Sequence, residues 1–140
     1  MIVSAVCVSF LNDALEGLHD FNADTLKLAL YREEANLDHR TIEYTTDGEV
    51  VGDGYQAGGV ILTMSSKRIS GKKVLVDFED VTITESTITA RGAMIYNASK
   101  FGHAVAVWNF GVDKVSQNGT FIIQFPKPDA RNAILRIAGP

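Results

Sequence analysis

Apolar residues recur at every second position over most of this chain. Between residues 25 and 138 they form short segments separated by Gly, Asp, Asn, Ser or Lys. A period of two predicts β-strands that bury one face each, and lengths of about five to nine residues suit antiparallel pairing. Because no segment of helix length intervenes, the pattern predicts an all-β fold, an antiparallel jelly roll or β-sandwich of about eight strands.

The predicted strands follow from this alternation and from the turn residues between them. They are residues 25–31, 41–45 (the weakest), 60–64, 74–78, 82–83, 87–96, 104–110, 120–124 and 134–137. Residues 118–120 are predicted to form a plain turn. The glycine-rich residues 52–59 are predicted to form turns with positive φ, because a phosphate-binding loop needs a following helix and here a strand follows.

The N-terminal region has a different period. Its apolar residues fall three and one positions apart in turn, on one stripe of a helix. The stripe is Cys7, Phe10, Leu11, Ala14, Leu15 and Leu18, and the opposite face is Ser9, Asn12, Asp13 and Glu16. We therefore predict an amphipathic helical segment within residues 1–20. Its stripe packs either on the sheet or on a neighbouring subunit, because a helix of about 12 residues is marginal alone.

The length and composition predict one domain over residues 1–140, with the β-sandwich over residues 25–138. Cys7 is the single cysteine, so no intramolecular disulfide can form. No apolar run approaches the roughly 20 residues of a membrane helix, and no basic segment precedes a hydrophobic stretch at the start. We expect a soluble protein made in the cytoplasm, with no membrane contact.

The charge balance bears on possible partners. A formal net charge of −4 and a pI near 5.3 argue against direct binding to nucleic acid. One local basic group, Lys67, Arg68, Lys72 and Lys73, flanks the Ser70-Gly71 turn. We interpret it as a solvated hairpin tip, with an acidic partner or a nucleic acid as the alternative contact.

Catalytic and metal-binding patterns do not stand out in the sequence. His19, His39 and His103 lack partners at metal-ligand spacing, and each is predicted to be a surface or loop residue. Neither a nucleophile elbow nor a catalytic triad order is recognisable. We therefore predict a protein that is not an enzyme and that has no catalytic residues, no cofactor and no metal site.

Three stretches resemble one protein family. They are residues 10–30, which include ADTLKLAL and are followed by Tyr31, residues 49–59 (EVVGDGYQAGG), and residues 90–97 and 104–111 (ARGAMIYN and AVAVWNFG). Together they resemble the capsid cement, or decoration, proteins of tailed bacteriophages, and the likeness covers nearly the whole chain.

This resemblance implies a structural protein of the virion. Such a jelly-roll protein sits on the outer surface of the phage head and clamps neighbouring major capsid subunits against the internal DNA pressure. The implied partners are the major capsid protein and a second copy of this chain in a homodimer. The alternative is a tail- or fibre-associated virion protein, possibly with a carbohydrate-binding β-sandwich. Trp108 lies within an alternating segment, which disfavours a sugar platform.

The contacts with the partner are predicted in three places. These are the apolar helical stripe, the glycine-rich loop, where a tyrosine offers an amphipathic contact, and the C-terminal tail over residues 127–140. The predicted contact residues are Phe10, Leu11, Leu15, Tyr55, Lys127 and Arg131.

Overall fold

A computed structural model of the chain describes residues 1–129 and 132–138. The elements are β1 (Ala5–Val6), α1 (Val8–Leu15), β2 (Leu26–Tyr31), β3 (Val60–Ile61), β4 (Met64–Ser70), β5 (Lys73–Phe78), β6 (Val81–Asn97), β7 (His103–Ile123) and β8 (Leu135–Ala138). One sheet has the strand order β1-β7-β6-β2-β3 and the other β4-β5-β8, with antiparallel pairing throughout both. The predicted antiparallel all-β fold with a short N-terminal helix is confirmed, while the jelly-roll connectivity stays a prediction.

One long hairpin, β6 with β7, forms the centre of the larger sheet. Its register runs from Val81 opposite Ile123 to Asn97 opposite His103. Each of these strands joins two segments that the sequence analysis predicted as separate strands. The pairing shifts at several irregular points, and Gly111 and Asn118 within β7 have φ angles of 85° and 47°. The predicted turn at residues 118–120 is wrong, because such residues can also form bulges that bend a strand without ending it.

Two further strand predictions need correction. Residues 41–45 do not form a strand; Glu43 makes only an isolated bridge to His103, and the Tyr44 amide bonds the Gly102 carbonyl. The predicted strand over residues 60–64 is divided between the two sheets. Its first part is β3, whereas Met64 begins β4 in the smaller sheet. The short alternating stretch thus contains the crossing from one sheet to the other.

The core lies between the two sheets. Leu28 and Leu30 on β2 are fully buried, and Phe78 on β5 and Leu135 on β8 contribute from the smaller sheet. The second face of β2 is buried too, because the β2–β3 connection covers it; the Tyr31 hydroxyl there donates to the Thr45 carbonyl at 2.6 Å. The core and the β2–β3 connection thus bury both faces of β2.

Helix α1 has eight residues. Across residues 1–129 and 132–138, no helix has both the length and the hydropathy needed to cross a membrane.

Candidate partner-binding surface

Helix α1 is attached to the larger sheet through its buried side. The side chains of Cys7 and Phe10 are buried, and the Phe10 ring lies 4.9 Å from the His19 ring and 5.7 Å from the Phe21 ring. Burial raises the pKa of the Cys7 thiol to about 12, as expected for a small buried residue rather than a nucleophile. The prediction of Phe10 as a partner contact is wrong, because only 3% of this residue is exposed.

The opposite side of α1 is apolar and exposed. Val8, Leu11 and Leu15 are 57%, 39% and 91% exposed, and their spacings of three and four place them on one face. The predicted apolar stripe is therefore divided between two environments: Phe10 faces the core, and Leu11 and Leu15 face solvent. Leu11 and Leu15 are accessible for the partner contact that the sequence analysis assigned to them, which stays a prediction.

Two neighbouring segments extend this exposed face. The Val8 amide bonds the His39 carbonyl, and the Ala104 amide bonds the Ile42 carbonyl, so residues 39–42 connect α1 to the start of β7. Ile42 is 61% exposed, and Phe101 in the β6–β7 turn is 86% exposed. We refer to Val8, Leu11, Leu15, Ile42 and Phe101 together as the apolar surface.

Phe101 has an unusual backbone conformation. Its φ angle is +56°, in the left-handed region that is rare for bulky residues and costs about 1–2 kcal/mol. The following Gly102 also has positive φ, at 74°, and accommodates such a turn without that cost. The turn thus presents a largely exposed aromatic ring at a strained backbone position.

A polar network lies beneath α1. Asp13 Oδ2 is 3.0 Å from His103 Nδ1 and 3.4 Å from His19 Nε2, and the His19 side chain is 2% exposed. Burial lowers the pKa of His19, against the opposing effects of its hydrogen bond to Asp13 and of the Asp13 charge. The prediction of Asp13 on the helix face opposite the buried side is wrong, because Asp13 is buried beside these histidines. His19 lies in the loop after α1, one of its two predicted settings, with its side chain buried. Nothing in the sequence signals this contact, since 90 residues separate Asp13 from His103.

The network continues into the β6–β7 turn. The Asn97 side-chain amide donates to Asp24 Oδ2 at 2.7 Å, and Lys100 Nζ lies 2.9 Å from Asp24 Oδ1. The Asp20 amide also donates to Asp24, at 2.9 Å. These hydrogen bonds, the backbone one first, lower the pKa of Asp24 to about 2. The residues before β2 and the turn that carries Phe101 are therefore held together.

The glycine-rich loop is held by a buried carboxylate. Glu49 is 4% exposed and accepts the hydroxyls of Tyr44 and Tyr55, each at 2.6 Å, and the Gly58 amide at 2.9 Å. The Tyr55 hydroxyl in turn accepts the Leu30 amide at 2.9 Å, and burial raises the pKa of Tyr55. Tyr55 is half-buried and its side chain holds the loop on β2, and its predicted contact with a partner stays a prediction. The predicted positive φ in this loop is confirmed, for example at Gly59.

The C-terminal contacts can be placed only in part. Lys127 is exposed and keeps its predicted access to a partner, whereas Arg131 lies outside the described residues. Phe125 stacks on Trp108 with the ring centroids 5.7 Å apart, and Trp108 meets Phe110 edge to face at 5.0 Å. These three rings pack against the core rather than forming an exposed platform.

The β4–β5 hairpin lies beside α1. A cleft of about 290 Å³ separates them, lined by Ala14 from the helix and by Lys67 and Val74 from the hairpin. Ile69, near the hairpin turn, is 81% exposed. Across residues 1–129 and 132–138, His, Cys, Asp and Glu side chains form no group of three that could hold a metal ion.

Comparison of the chain with protein-family models, curated proteins and solved structures gave no match.

Proposed function

We propose that this chain is a capsid cement protein, a virion structural protein that binds the outer surface of a tailed-phage head. It clamps neighbouring major capsid subunits against the internal DNA pressure, as a homodimer and without catalysis. The resemblance of residues 10–30, 49–59 and 90–111 to decoration proteins supports this proposal. The apolar surface is the structural observation that carries it.

The apolar surface has the properties of a docking site. Leu15 and Phe101 are 91% and 86% exposed. Burying a Leu or Phe side chain in an interface contributes about 1.5–3 kcal/mol, so covering both would supply much of a modest affinity. Aromatic side chains at the centre of an interface commonly contribute most to its affinity. The network around Asp13 and Asp24 supports this surface from beneath, which limits the ordering entropy lost on docking.

Cementing follows from mass action. A protein that binds the assembled lattice but not the free subunit stabilises the assembly, and contacts repeated by symmetry add avidity without any single strong site. A homodimer across a lattice two-fold axis would present two equivalent apolar surfaces. Each copy would then hold one of the two neighbouring capsid subunits.

Phe101→Gly tests the role of the apolar surface. Glycine relieves the left-handed strain, so we expect thermal stability to stay the same or to rise slightly. Binding to purified heads that lack this protein, measured by sedimentation, should weaken at least about tenfold, the equivalent of 1.4 kcal/mol. Val51→Ala is the matched control, because Val51 is 88% exposed and lies outside the apolar surface.

The outcome can also contradict the proposal. If Phe101→Gly and Leu15→Ala both bind heads as tightly as the wild type, the apolar surface does not dock. If the wild type does not bind heads at all, the cement function itself is rejected. A role in a tail fibre that binds sugars is not favoured by any observation here, since Trp108 is packed between Phe110 and Phe125.

A further inference from the structure

We infer that the β4–β5 hairpin is a second, electrostatic part of the docking surface and that it binds an acidic protein surface. This inference rests on the proposed function, because the acidic surface is assigned to the capsid. Two observations support it: the uneven distribution of charged residues between the two sheets, and the presence or absence of carboxylate partners for the basic residues.

The charge of this acidic protein is unevenly distributed. The chain has 13 basic and 17 acidic residues, yet the smaller sheet with its β4–β5 turn carries five basic residues and one acidic residue. The basic residues are Lys67, Arg68, Lys72, Lys73 and Arg136, and the acidic residue is Asp77. The smaller sheet is therefore positive, while the rest of the molecule is strongly negative.

The cations near the hairpin turn lack carboxylate partners. Among the described residues, no carboxylate lies within ion-pair distance of Lys67, Arg68 or Lys72. Arg68 instead donates to the Pro128 carbonyl, which leaves its charge uncompensated.

Cations elsewhere in the fold do have such partners. Arg40 lies 2.7 Å from Asp38, Arg91 lies 2.9 Å from Asp113, and Lys100 is held by Asp24. Among the described residues, Lys67, Arg68 and Lys72 thus lack the carboxylate partners that Arg40, Arg91 and Lys100 have.

The hairpin also exposes apolar area among these charges. Ile69 lies between the basic positions and is 81% exposed, and Val74, its cross-strand partner, is 38% exposed. Lys67 shares a face of the hairpin with Ile69 and Val74, whereas Arg68 lies on the opposite face and Lys72 lies in the turn. Basic residues beside an exposed apolar area are typical of a protein interface, in which the charges accelerate association and select the partner. A nucleic acid fits less well for two reasons. The side chains of Ile69 and Val74 cannot hydrogen-bond a phosphate, and the net negative charge of the rest of the protein would repel the phosphate backbone of a nucleic acid.

The position of the hairpin links it to the apolar surface. Lys67 and Val74 line one wall of the cleft whose opposite wall includes Ala14 of α1, the residue before Leu15. A partner that covers the exposed face of α1 therefore comes close to the hairpin. The acidic patch of the partner would lie against Lys67 and Lys72, and its apolar patch against Leu15.

The test is a charge-neutralising variant, Lys67→Gln/Arg68→Gln/Lys72→Gln, which keeps hydrogen-bonding side chains at all three positions. The matched control adds the same charge change elsewhere, as Gln117→Glu/Thr120→Glu/Gln124→Glu, at exposed positions on or just after β7. Binding to purified heads lacking this protein is measured by sedimentation at low salt and at about 0.5 M salt, where screening weakens exposed charge interactions. Thermal unfolding of each variant verifies that it is folded.

We expect the hairpin variant to bind at least about tenfold more weakly at low salt, with the difference shrinking at high salt, while the control binds as the wild type does. Should the hairpin variant bind normally, or should the control lose as much affinity, this inference fails while the proposed function stands. Absence of wild-type binding to heads would overturn both. Tight, salt-dependent binding of a DNA duplex by the wild type, lost in the hairpin variant, would overturn the assignment to an acidic protein.

Lys72→Gln alone provides a second variant, since this exposed residue lies in the turn and outside both strands. We expect about a twofold to threefold loss of head binding at low salt. Unchanged binding of Lys72→Gln together with unchanged binding of the triple variant would exclude the hairpin from the interface.

Discussion

The glycine-rich loop and the β4–β5 hairpin differ in how their polar groups are satisfied. Glu49 holds the loop through two tyrosine hydroxyls and the Gly58 amide, so the polar groups there bind one another. In the hairpin, Lys67 and Lys72 have no carboxylate partner among the described residues. The first region is built for the fold, and the second is available to a partner.

This difference gives a way to separate structural residues from functional ones without comparing homologues. A buried polar group with several partners is costly to remove, because its partners are left unsatisfied. An exposed charge without a partner contributes little to stability. Substitutions of Glu49 or its partners should therefore change the free energy of unfolding, whereas substitutions of Lys67 and Lys72 in the hairpin should leave it almost unchanged.

The largest effect is expected for Glu49→Ala. Removing this carboxylate leaves the Tyr55 hydroxyl and the Gly58 amide without their acceptor inside the protein, at a cost of about 3–5 kcal/mol. Chemical denaturation measures the loss. Glu43→Ala is the control, because Glu43 is exposed and should change stability by less than about 0.5 kcal/mol. Similar values for the two variants would remove the distinction between the two regions.

A smaller but still large effect is expected for Gly59→Ala. Gly59 has φ +84°, and a Cβ atom there would lie 1.9 Å from the Leu28 carbonyl oxygen, so the loop would have to move away from β2. We expect about 3 kcal/mol of destabilisation. Gly17→Ala is the control that measures backbone strain without a steric clash. Gly17 has φ +74°, and a Cβ atom there would have no other atom within 4 Å. We expect this substitution to destabilise the protein by about 1 kcal/mol. Equal costs would mean that the contact with β2 is unimportant.

The polar network beneath α1 should make the stability of the protein depend on pH. Burial lowers the pKa of His19 in the folded protein below 6.5, so neutral His19 favours the folded state. This contribution to the free energy of unfolding is fully present above pH 6.5 and is lost as the pH falls through the folded pKa. We expect the wild type to melt at a lower temperature at pH 5 than at pH 7, and His19→Gln to show a smaller difference. His39→Gln, at an exposed position, should keep the wild-type difference. A wild-type melting temperature that rises on acidification would contradict this account.

The smallest stability effect is expected in the hairpin. Neutralising Lys67 and Lys72 together should change the free energy of unfolding by less than about 0.5 kcal/mol, because neither side chain is paired. Thermal or chemical denaturation at low and high salt measures this. Destabilisation above about 1 kcal/mol would show that these lysines serve the fold, and the two regions would no longer differ in kind.

Much of the fold could be predicted from local patterns, and the errors have physical causes. Alternation located β2, β5 and β8, and the Ser70-Gly71 turn located the β4–β5 hairpin. The bulge at Asn118 was mistaken for a turn, because the same residue types favour left-handed conformations in both settings. Local sequence carries no information that separates the two.

The candidate surface was predictable only in part. Helical spacing identified Leu11 and Leu15, but periodicity alone could not show that Phe10 faces the core while Leu15 faces solvent. Phe101 was missed because nothing in the sequence marks a left-handed, exposed phenylalanine. Asp13 was assigned to the face opposite the apolar stripe because it is polar, and its contact with His103, 90 residues away, leaves no local signal.

The most direct test of the cement function is binding of the purified wild-type protein to mature heads that lack it, read by sedimentation and followed by the temperature of DNA release. We predict saturable binding and a higher release temperature, because a ligand of the assembled lattice stabilises the assembly. No retention on heads, or retention with an unchanged release temperature, would contradict the cement function.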